Sequence, residues 1–465
     1  MPQVTTTIKL LLTPGKNEAA CLDDQSRKCN ALYNKLLEAA NTLKQKFKET
    51  GDAESAKILY GPRGLRNLVP GIKNEHPYLK TVYAAPLKNT ALRLTNCIKA
   101  YQDSRKGKRT GSQTGWPRFR SWKAGWFSLL YDEPNKGYCI QDNTLHLSLG
   151  LGIDRKRNGL KIPIADAKIL AGKDVCNLRI VKEGKVFSAV FTVVRAVPET
   201  KPIKKIIVFD PNHKNLAYGV DSDGNAIEIQ APNWLKVYDK RLDELKSKMD
   251  RCKKKSRLVN NVDSNGAIIG QRWEPSRRYI ALNKTYNKAL AKRRDQTKSF
   301  CYRTSNLLYK HYDLVAVGDY APTGQGITTA MRRAMNNRSL IGRFKEVAAW
   351  VAIKSGKTYQ EFPEKGTTRT CHACGFVMEG GIHPSIRQWD CPGCATMHLR
   401  DENAAFNGFK MILRNLQKEN KDTSLLVPSS GRVKIKERWA WRVLSSGALV
   451  RRGGKIAEQS ASTRN

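Results

Sequence analysis

Four cysteines in the C-terminal half of the chain have the spacing of a metal site. They form two Cys-x-x-Cys pairs, Cys371 with Cys374 and Cys391 with Cys394, separated by sixteen residues. Four thiolates at this spacing suit tetrahedral zinc, and a closed shell of four protein ligands indicates a structural ion. A redox Cys-x-x-Cys motif is the alternative, but it does not explain two such pairs. Three nearby histidines are interpreted as bystanders: His372, His383 and His398.

Two acidic residues stand where carboxylates could bind divalent metal ions. Asp210 closes the apolar segment 205–209 (KIIVF), where the first carboxylate of a ribonuclease-H-like sheet would lie. Asp401 follows the second cysteine pair and opens a predicted amphipathic helix. Hydrolysis of a phosphodiester by two metal ions requires carboxylates that converge on ions about 4 Å apart. Each residue also has a plainer interpretation, Asp401 as a helix N-cap and Asp210 as the start of an Asp-Pro turn.

The net charge of the chain indicates which class of molecule it binds. Its 465 residues include 83 Lys and Arg against 41 Asp and Glu, a net charge of +42 spread along the whole sequence. Repulsion on this scale destabilises a compact fold unless a polyanion is usually bound, and nucleic acid is the polyanion that fits. Ribosomal and membrane-surface proteins are the alternatives, but they are usually shorter or carry localised charge. Eleven cysteines without a secretory signal predict no disulfides and a cytosolic protein.

Apolar periodicity predicts the elements that position these residues. Residues 5–12 predict a strand, and residues 17–106 have the three- and four-residue spacing of helices. Short alternating runs between residues 116 and 198 predict a small antiparallel barrel or sandwich. The strand before Asp210 continues as a meander, two long basic helices follow, and a further strand leads into Asp319. This helical hairpin is either a solvated charged face or a nucleic-acid contact, and the basic context favours the second.

The C-terminal block resembles TnpB, the transposon-encoded ancestor of the small type V CRISPR effectors. Residues 367–371 (TTRTC) lead into the first cysteine pair and Trp389 precedes the second, as in the family's zinc ribbon. Residues 399–405 (LRDENAA) are similar to its D-R-D-x-N-A-A segment.

The likeness extends upstream and covers most of the chain between about residues 116 and 412. Residues 210–217 (DPNHKNLA) resemble the first RuvC motif of the family, with Asn212 where Gly is usual. Residues 115–120 (GWPRFR) resemble the segment that opens its wedge barrel. The resemblance is weak in the N-terminal helices.

One departure concerns the third carboxylate. The second motif of the family is a strand that ends in Glu, but here the strand end reads VAVGDY and Gly318 takes the Glu position. A subset of TnpB-like proteins has this strand end together with a Glu just before the ribbon, and Glu364 matches that spacing. Asp319 is the substitute candidate, and a surface carboxylate with Glu361 as its neighbour is the plainer interpretation of Glu364. The resemblance therefore implies three ligands for two Mg²⁺ ions: Asp210, Glu364 and Asp401.

The resemblance implies an α+β multidomain fold, with a helical recognition domain, a small β-barrel wedge domain and a RuvC nuclease domain that contains an inserted zinc ribbon. The expected boundaries are a first wedge strand at 1–15, the recognition domain at 16–115, the wedge domain at 116–200, the RuvC domain at 201–370 with a helical hairpin at 234–312, the ribbon at 371–394, the last RuvC part at 395–415, and a basic, partly disordered tail at 416–465.

The function implied by this resemblance is RNA-guided cleavage of DNA. The expected partners are a guide RNA, double-stranded target DNA and its displaced strand, with no membrane; the expected location is the prokaryotic cytoplasm, and the nucleoid when on target. The expected cofactors are two Mg²⁺ and one structural Zn²⁺. Two alternatives stay open, a guided DNA-binding protein without nuclease activity and an unguided RNA-binding protein. Three tryptophans are candidates for stacking on single strands or for the barrel core: Trp116, Trp122 and Trp126.

Overall fold

The chain divides into two compact units in a computed structural model, Met1–Ala196 and Val197–Asn465, called here the first and second unit. Among the helices that are described, none combines the length and the apolar character needed to cross a membrane. The described residues are 3–109, 112–121, 127–151, 157–212, 216–262, 266–320, 328, 339–383, 385–419, 421, 423, 440–443 and 449–451.

Helices of the first unit pack through apolar stripes. Within α1, leucines at three- and four-residue intervals are fully buried, among them Leu22, Leu32 and Leu36. Gly51 ends α1 in the left-handed conformation, with φ of 69°, and Asp52 caps α2 by accepting from two backbone amides. The helices are α1 (Lys16–Thr50), α2 (Ala53–Tyr60), α3 (Gly64–Asn67), α4 (Val69–Glu75) and α5 (Ala84–Arg105).

Strands of the first unit form two antiparallel sheets. They are β1 (Gln3–Leu12), β2 (Leu129–Tyr131), β3 (Tyr138–Gln141), β4 (Thr144–Leu151), β5 (Arg157–Pro163), β6 (Asp174–Glu183) and β7 (Val186–Ala196). One sheet has the order β1-β7-β6-β2 and the other β3-β4-β5, with a single bridge between Leu12 and Ile164. The closed barrel expected from the sequence is not found among the described residues, because these two sheets do not pair strand to strand into one ring.

A seven-stranded sheet organises the second unit. Its order is β14-β13-β8-β9-β10-β17-β18. β8, β9 and β10 form an antiparallel meander, whereas β13 pairs parallel with β8 and β14 pairs parallel with β13. The strands of this unit are β8 (Ile206–Pro211), β9 (Ala217–Asp221), β10 (Ala226–Ile229), β11 (Leu258–Val262), β12 (Ile268–Trp273), β13 (Leu314–Gly318), β14 (Thr358–Phe362), β15 (Gln388–Asp390), β16 (Met397–Leu399), β17 (Ala440–Val443) and β18 (Leu449–Arg451).

Helices cover both faces of this sheet, so that every residue of β8 is buried. The helices are α6 (Asn233–Lys254), α7 (Arg277–His311), α8 (Ile341–Ser355) and α9 (Arg400–Lys418). On one face of the sheet, Ile207 and Phe209 pack in a core that includes residues of α7 and α8. On the other face, Ile206 and Val208 pack in a core that includes residues of α9. The mixed α+β class expected from the sequence is confirmed.

Two segments depart from the expected outline. The long hairpin of α6 and α7 contains a two-stranded antiparallel sheet, β11 with β12, between its helices. Much of the predicted basic tail, 416–465, lies outside the described residues. Within them, α9 continues to Lys418, and β17 pairs parallel with β10 and antiparallel with β18, the last strand of the sheet.

Candidate metal centres

The four cysteines converge on one point. β15 and β16 pair antiparallel, and the two knuckles bring all four Sγ atoms within 4.8 Å of one another. Cys371 Sγ lies 3.7 Å from Cys394 Sγ, and Cys374 Sγ lies 3.6 Å from Cys391 Sγ. Zn–S bonds of about 2.3 Å in a tetrahedron place sulfur atoms about 3.8 Å apart. The cluster therefore fits a structural zinc ion, as the spacing predicts.

Two of the three nearby histidines, His372 and His398, pack beside this cluster without joining it, whereas the contacts of His383 are with Ser385. In the described part of the chain, the convergent ligand group contains cysteines only. His398 is buried, and its Nε2 lies 3.1 Å from Cys371 Sγ. His372 stacks on Phe406 of α9 with 4.5 Å between ring centroids. The stacking of His372 on Phe406 joins the ribbon to α9.

Two asparagines of α9 hydrogen-bond to the segment that precedes the zinc ribbon. Asn403 Nδ2 donates to the carbonyls of Thr367 and Thr370 at 3.2 and 2.8 Å. Asn407, one turn later, donates to the same two carbonyls at 2.9 and 2.7 Å. Both asparagines and Thr367 are buried, so these bonds satisfy polar groups in the interior. The position of Asp401, in the first turn of α9, is thereby linked to the ribbon.

Asp210 lies in β8 rather than in a turn. Asp210 and the residue after it pair with Tyr218 and Ala217 of β9, so the Asp-Pro turn interpretation is wrong. The side chain is 7% exposed. Burial raises the pKa of Asp210 well above its ordinary value, and the negative charges of Glu364 and Asp401 add to this effect. A buried carboxylate beside two others has the electrostatic environment that a cation would stabilise.

Asp401 belongs to the first turn of α9 and is not its N-cap, because Leu399 holds that position. Its carboxylate accepts from Asn212 Nδ2 at 3.4 Å, two residues beyond Asp210 in the chain. Arg387, just before β15, approaches the same carboxylate with Nη1 3.2 Å from Oδ1. The alternative of a simple capping role for Asp401 is therefore not supported.

Glu364 occupies the space beside Gly318 where the strand end lacks a side chain. A Cβ added to Gly318 would lie 2.6 Å from Cγ and 2.8 Å from Cδ of Glu364. Glu364 Oε1 is buried and has no hydrogen-bond partner, while the backbone amide of Tyr320 donates to the carboxylate. Burial, followed by the charge of Asp319, raises the pKa of Glu364 to about 7.

The neighbouring acidic residues have other contacts. Asp319 is exposed, and its Oδ1 accepts from the backbone amide of Glu364 at 3.2 Å. Glu361 is paired with Lys345 at 2.7 Å and accepts from Tyr359 at 3.0 Å. Lys345 also donates to the carbonyl of Asp319 at 2.7 Å. These contacts hold the loop that presents Glu364, and they leave its Oε1 without a partner.

The three carboxylates do not close around one ion. Among the described residues, the cysteines are the one group of three or more potential ligands that converge closely enough for a single ion. Asp210 nevertheless interacts electrostatically with both Glu364 and Asp401.

Comparison with known proteins gives relatives in one class. The model of the Cas12f1-like TNB domain matches residues 342–407, which include the ribbon, Glu364 and Asp401. A Mycobacterium tuberculosis protein named as an RNA-guided DNA endonuclease is 24% identical over 68% of this chain and 66% of its own length. A TnpB-like protein of Acanthamoeba polyphaga mimivirus is 25% identical over 31% of this chain and 28% of its own. The chain is TnpB-like.

The fold of this TnpB-like chain is similar to that of Cas12 effectors. The Cas12f1 protein in a complex with sgRNA and target DNA covers 87% of the chain and 98% of its own length, with a TM-score of 0.55 and 10% identity. At that identity the likeness concerns the fold alone. The chain spans just under two thirds of the length of its mycobacterial relative.

Sequence patterns missed several contacts of the candidate site. Arg387 carries no motif signal, and only the folded ribbon brings it to Asp401. Tyr218 donates to Glu402 at 3.0 Å, which links β9 to the start of α9. Trp116, a stacking candidate, is half-buried and donates to Asn41 at 2.8 Å. The other two tryptophans, Trp122 and Trp126, lie outside the described residues.

Proposed function

We propose that this chain is an RNA-guided DNA endonuclease in which Asp210, Glu364 and Asp401 hold two Mg²⁺ ions. The observation that supports this most directly is Glu364, whose carboxylate takes the space beside Gly318 and keeps Oε1 buried without a partner. Buried carboxylates that repel one another are stabilised by a cation, and a ligand set of carboxylate oxygens suits Mg²⁺.

Each residue of the proposed metal site would have its own role. Asp210 would hold metal together with Glu364 and Asp401, because it interacts with the charge of both. When bound, the ions would supply an activated water and would stabilise the leaving 3′-oxygen. Arg387, which pairs with Asp401, would donate to a phosphate of the substrate once the carboxylate holds metal. The ribbon would hold α9, and with it Asp401, in register with β8.

The sheet order supports a ribonuclease-H-like RuvC domain in the second unit. The meander β8-β9-β10 followed by parallel β13 and β14 places the ends of β8 and β13 side by side. Asp210 and Gly318 lie near these two strand ends, so a carboxylate beside Gly318 would complete the site. In the first unit, the helices would form the recognition domain and the two sheets the wedge domain. The boundaries expected from the sequence remain part of this proposal.

The proposed partners follow from charge and from the names of the relatives. A net charge of +42 would hold a guide RNA and the DNA backbone by release of their counterions. The guide would select its target by base pairing, while the protein would bind backbone and a short flanking motif. Double-stranded target DNA and its displaced strand would be the substrates.

Plasmid cleavage tests the proposal. The protein copurified with its own RNA is incubated with a plasmid that carries the matching target, in Mg²⁺ and in EDTA. We expect metal-dependent cutting of the matched plasmid only, and a loss of at least about a hundredfold in rate for Glu364→Gln and Asp210→Asn, because each removes a charge from the metal site.

Asp319→Asn is the matched control, since Asp319 is an exposed neighbour that we place outside the ligand set. Loss of cutting with Asp319→Asn but not with Glu364→Gln would overturn the ligand assignment. RNA-directed binding without cutting would support the guided DNA-binding alternative. Binding of RNA with no DNA targeting would support the unguided one.

A further inference from the structure

His398 contacts the cysteine cluster although it lies outside the group of four ligands. Its Nε2 lies 3.1 Å from Cys371 Sγ, and both residues are almost fully buried, with 2% and 1% exposure. The four Sγ atoms lie within 4.8 Å of one another, and in the described part of the chain no histidine nitrogen belongs to that group. His398 therefore contacts one ligand of the proposed zinc ion and not the ion itself.

Neighbouring rings fix the orientation of the His398 imidazole. His398 pairs with Trp389 between β16 and β15, and their ring centroids lie 4.8 Å apart with planes tilted by 43°. The ring of His372 meets His398 edge-on, with 4.8 Å between centroids. Trp389 is buried in the same small core as Cys371 and Cys391. An imidazole held on two sides loses little further freedom when its Nε2 donates to a fixed acceptor.

The sulfur atoms of the cluster differ in their access to water. Four thiolates around one Zn²⁺ leave negative charge on the sulfur atoms. Cys374 and Cys394 are exposed, so water can donate to them, whereas Cys371 and Cys391 are buried. A buried anionic acceptor needs donors from the protein. For Cys371 Sγ, the donors are the backbone amide of Cys374 at 3.5 Å and His398 Nε2.

We propose that His398 is a positioning residue of the zinc site, which donates its Nε2–H to the Cys371 thiolate and thereby slows release of the ion. A zinc-bound thiolate can only accept, so the hydrogen between the two atoms belongs to Nε2. Hydrogen bonds to a metal ligand hold it in place, and their loss typically lowers metal affinity by about 10–100-fold. The proposal rests on the zinc assignment of the four cysteines and holds whether or not the chain cuts DNA.

The same contact joins the cysteine cluster to the start of α9. β16 (Met397–Leu399) runs directly into α9, which begins at Arg400. The bond from His398 to Cys371 therefore connects the first cysteine pair with the strand that leads into Asp401. It acts beside the bonds that Asn403 and Asn407 donate from α9 itself.

The rate of zinc release from the full chain tests the proposal. Purified protein is mixed with an excess of a coloured zinc chelator, and transfer of the ion is followed by absorbance. We expect His398→Phe, which keeps a ring but has no donor, to release zinc about tenfold faster than wild type. His398→Asn, whose side chain is too short to reach Cys371, should behave in the same way. His398→Gln, whose amide nitrogen can take the place of Nε2, should stay within about threefold of wild type.

His383→Phe is the matched control, because His383 is an exposed histidine of the same ribbon whose contacts are with Ser385. Its zinc release should equal that of wild type. Release at the wild-type rate from His398→Phe or from His398→Asn would refute the proposed donor. Equally fast release from His398→Gln and His398→Asn would assign the effect to ring packing and would also refute it, and this comparison decides even if His398→Phe does not fold.

Cobalt in place of zinc reports on the sulfur atoms directly. A hydrogen bond stabilises the electrons of a thiolate, so the sulfur-to-cobalt charge-transfer band of His398→Phe should move to longer wavelength, and that of His383→Phe should not. An unchanged band in His398→Phe would contradict the hydrogen bond. A wild-type spectrum of three thiolates and one nitrogen would make His398 a ligand and would overturn the proposal. Wild-type protein that binds neither ion would overturn the zinc assignment and the proposal with it, a result distinct from fast release by the variants.

Discussion

Glu364 takes the space beside Gly318 that a side chain at position 318 would otherwise fill. The two residues lie at the ends of neighbouring parallel strands, where Gly318 pairs with Phe362 two residues before Glu364. In the proposed site, the loop after β14 therefore supplies the carboxylate that the end of β13 lacks. This relationship accounts for a glycine at a strand end that the sequence alone presented as a departure.

Filling the space beside Gly318 should displace Glu364. In Gly318→Ala, the new Cβ would overlap the carboxyl group of Glu364, so we expect metal-dependent cleavage to fall by about a hundredfold while RNA-directed DNA binding is kept. Cleavage and binding are measured on the same preparation. Gly342→Ala is the control, since a Cβ there meets nothing within 4 Å. Unchanged cleavage in Gly318→Ala would contradict this account of the pair.

Exchanging the two positions should restore part of the activity. Glu364→Ala removes the carboxylate and opens the space, and Gly318→Glu then places a carboxylate there from β13. We expect the double variant to cut at least about tenfold faster than Glu364→Ala, because the charge returns to the same region. Rates are compared at saturating metal. Equal rates for Glu364→Ala and the double variant would show that the location of the charge is not what matters.

Metal binding should release a proton from Glu364. Burial raises the pKa of this carboxyl from its ordinary 4.5 to about 7, so the folded metal-free protein keeps a proton that the unfolded chain loses. Stability should therefore fall as the pH rises from about 4.5 to about 7. Over that window the deprotonation of Glu364 should by itself raise the apparent Mg²⁺ affinity by about tenfold per pH unit, and Asp210, whose pKa is also raised, adds to this rise.

Calorimetry in buffers of different ionisation enthalpy counts the released protons. At pH 6, Glu364→Gln should release about one proton fewer per protein than wild type, and Glu361→Gln, whose residue is exposed and paired with Lys345, should release the same number. An unchanged count in Glu364→Gln would place the titrating group elsewhere.

Arg387 should compete with metal for Asp401. The pair lies at 3.2 Å with the two side chains 43% and 19% exposed, so its stabilisation is modest. In the absence of nucleic acid, Arg387→Gln should bind Mg²⁺ up to about fivefold more tightly, because the carboxylate is released. Titration followed by calorimetry measures the affinity. A weaker affinity in Arg387→Gln would mean that Arg387 supports the metal site instead of competing for it.

The bonds from α9 to the ribbon should matter for activity without affecting zinc. Asn407→Ala leaves the carbonyls of Thr367 and Thr370 with fewer donors, which should cost about 1–3 kcal/mol and loosen α9. We expect slower cleavage with zinc still bound at one ion per chain, measured by metal analysis. Arg414→Ala, on the exposed side of the same helix, should change neither. Cys371→Ser should lose both zinc and cleavage.

How far the sequence predicts this structure depends on how local each signal is. The cysteine spacing and the apolar strand before Asp210 are local, and both are found where they were expected. Arg387 pairs with Asp401, and two asparagines of α9 donate to the carbonyl of Thr367. These contacts join residues that only the fold brings together, so no local pattern predicts them. The strands of the first unit were recognised by alternation, but alternation does not determine whether a sheet closes, and the expected barrel is absent from the described residues.

The two-stranded sheet of β11 and β12, between the two long helices, was not predicted from the sequence, for a different reason. β11 carries two asparagines among its five residues (LVNNV), and short polar runs of this kind do not distinguish a strand from a loop between helices. Its pairing with β12 is a tertiary property of the hairpin.

Two of the three proposed magnesium ligands flank the cysteine cluster in the chain, Glu364 just before Cys371 and Asp401 just after Cys394. The cysteine cluster and the two flanking carboxylates therefore lie in one contiguous segment of the chain, and Asp210 is the one proposed ligand outside that segment. Such a segment can be inherited, duplicated or grafted as a single stretch of gene. An insertion inside it is therefore expected to alter both zinc occupancy and the geometry of the proposed magnesium site.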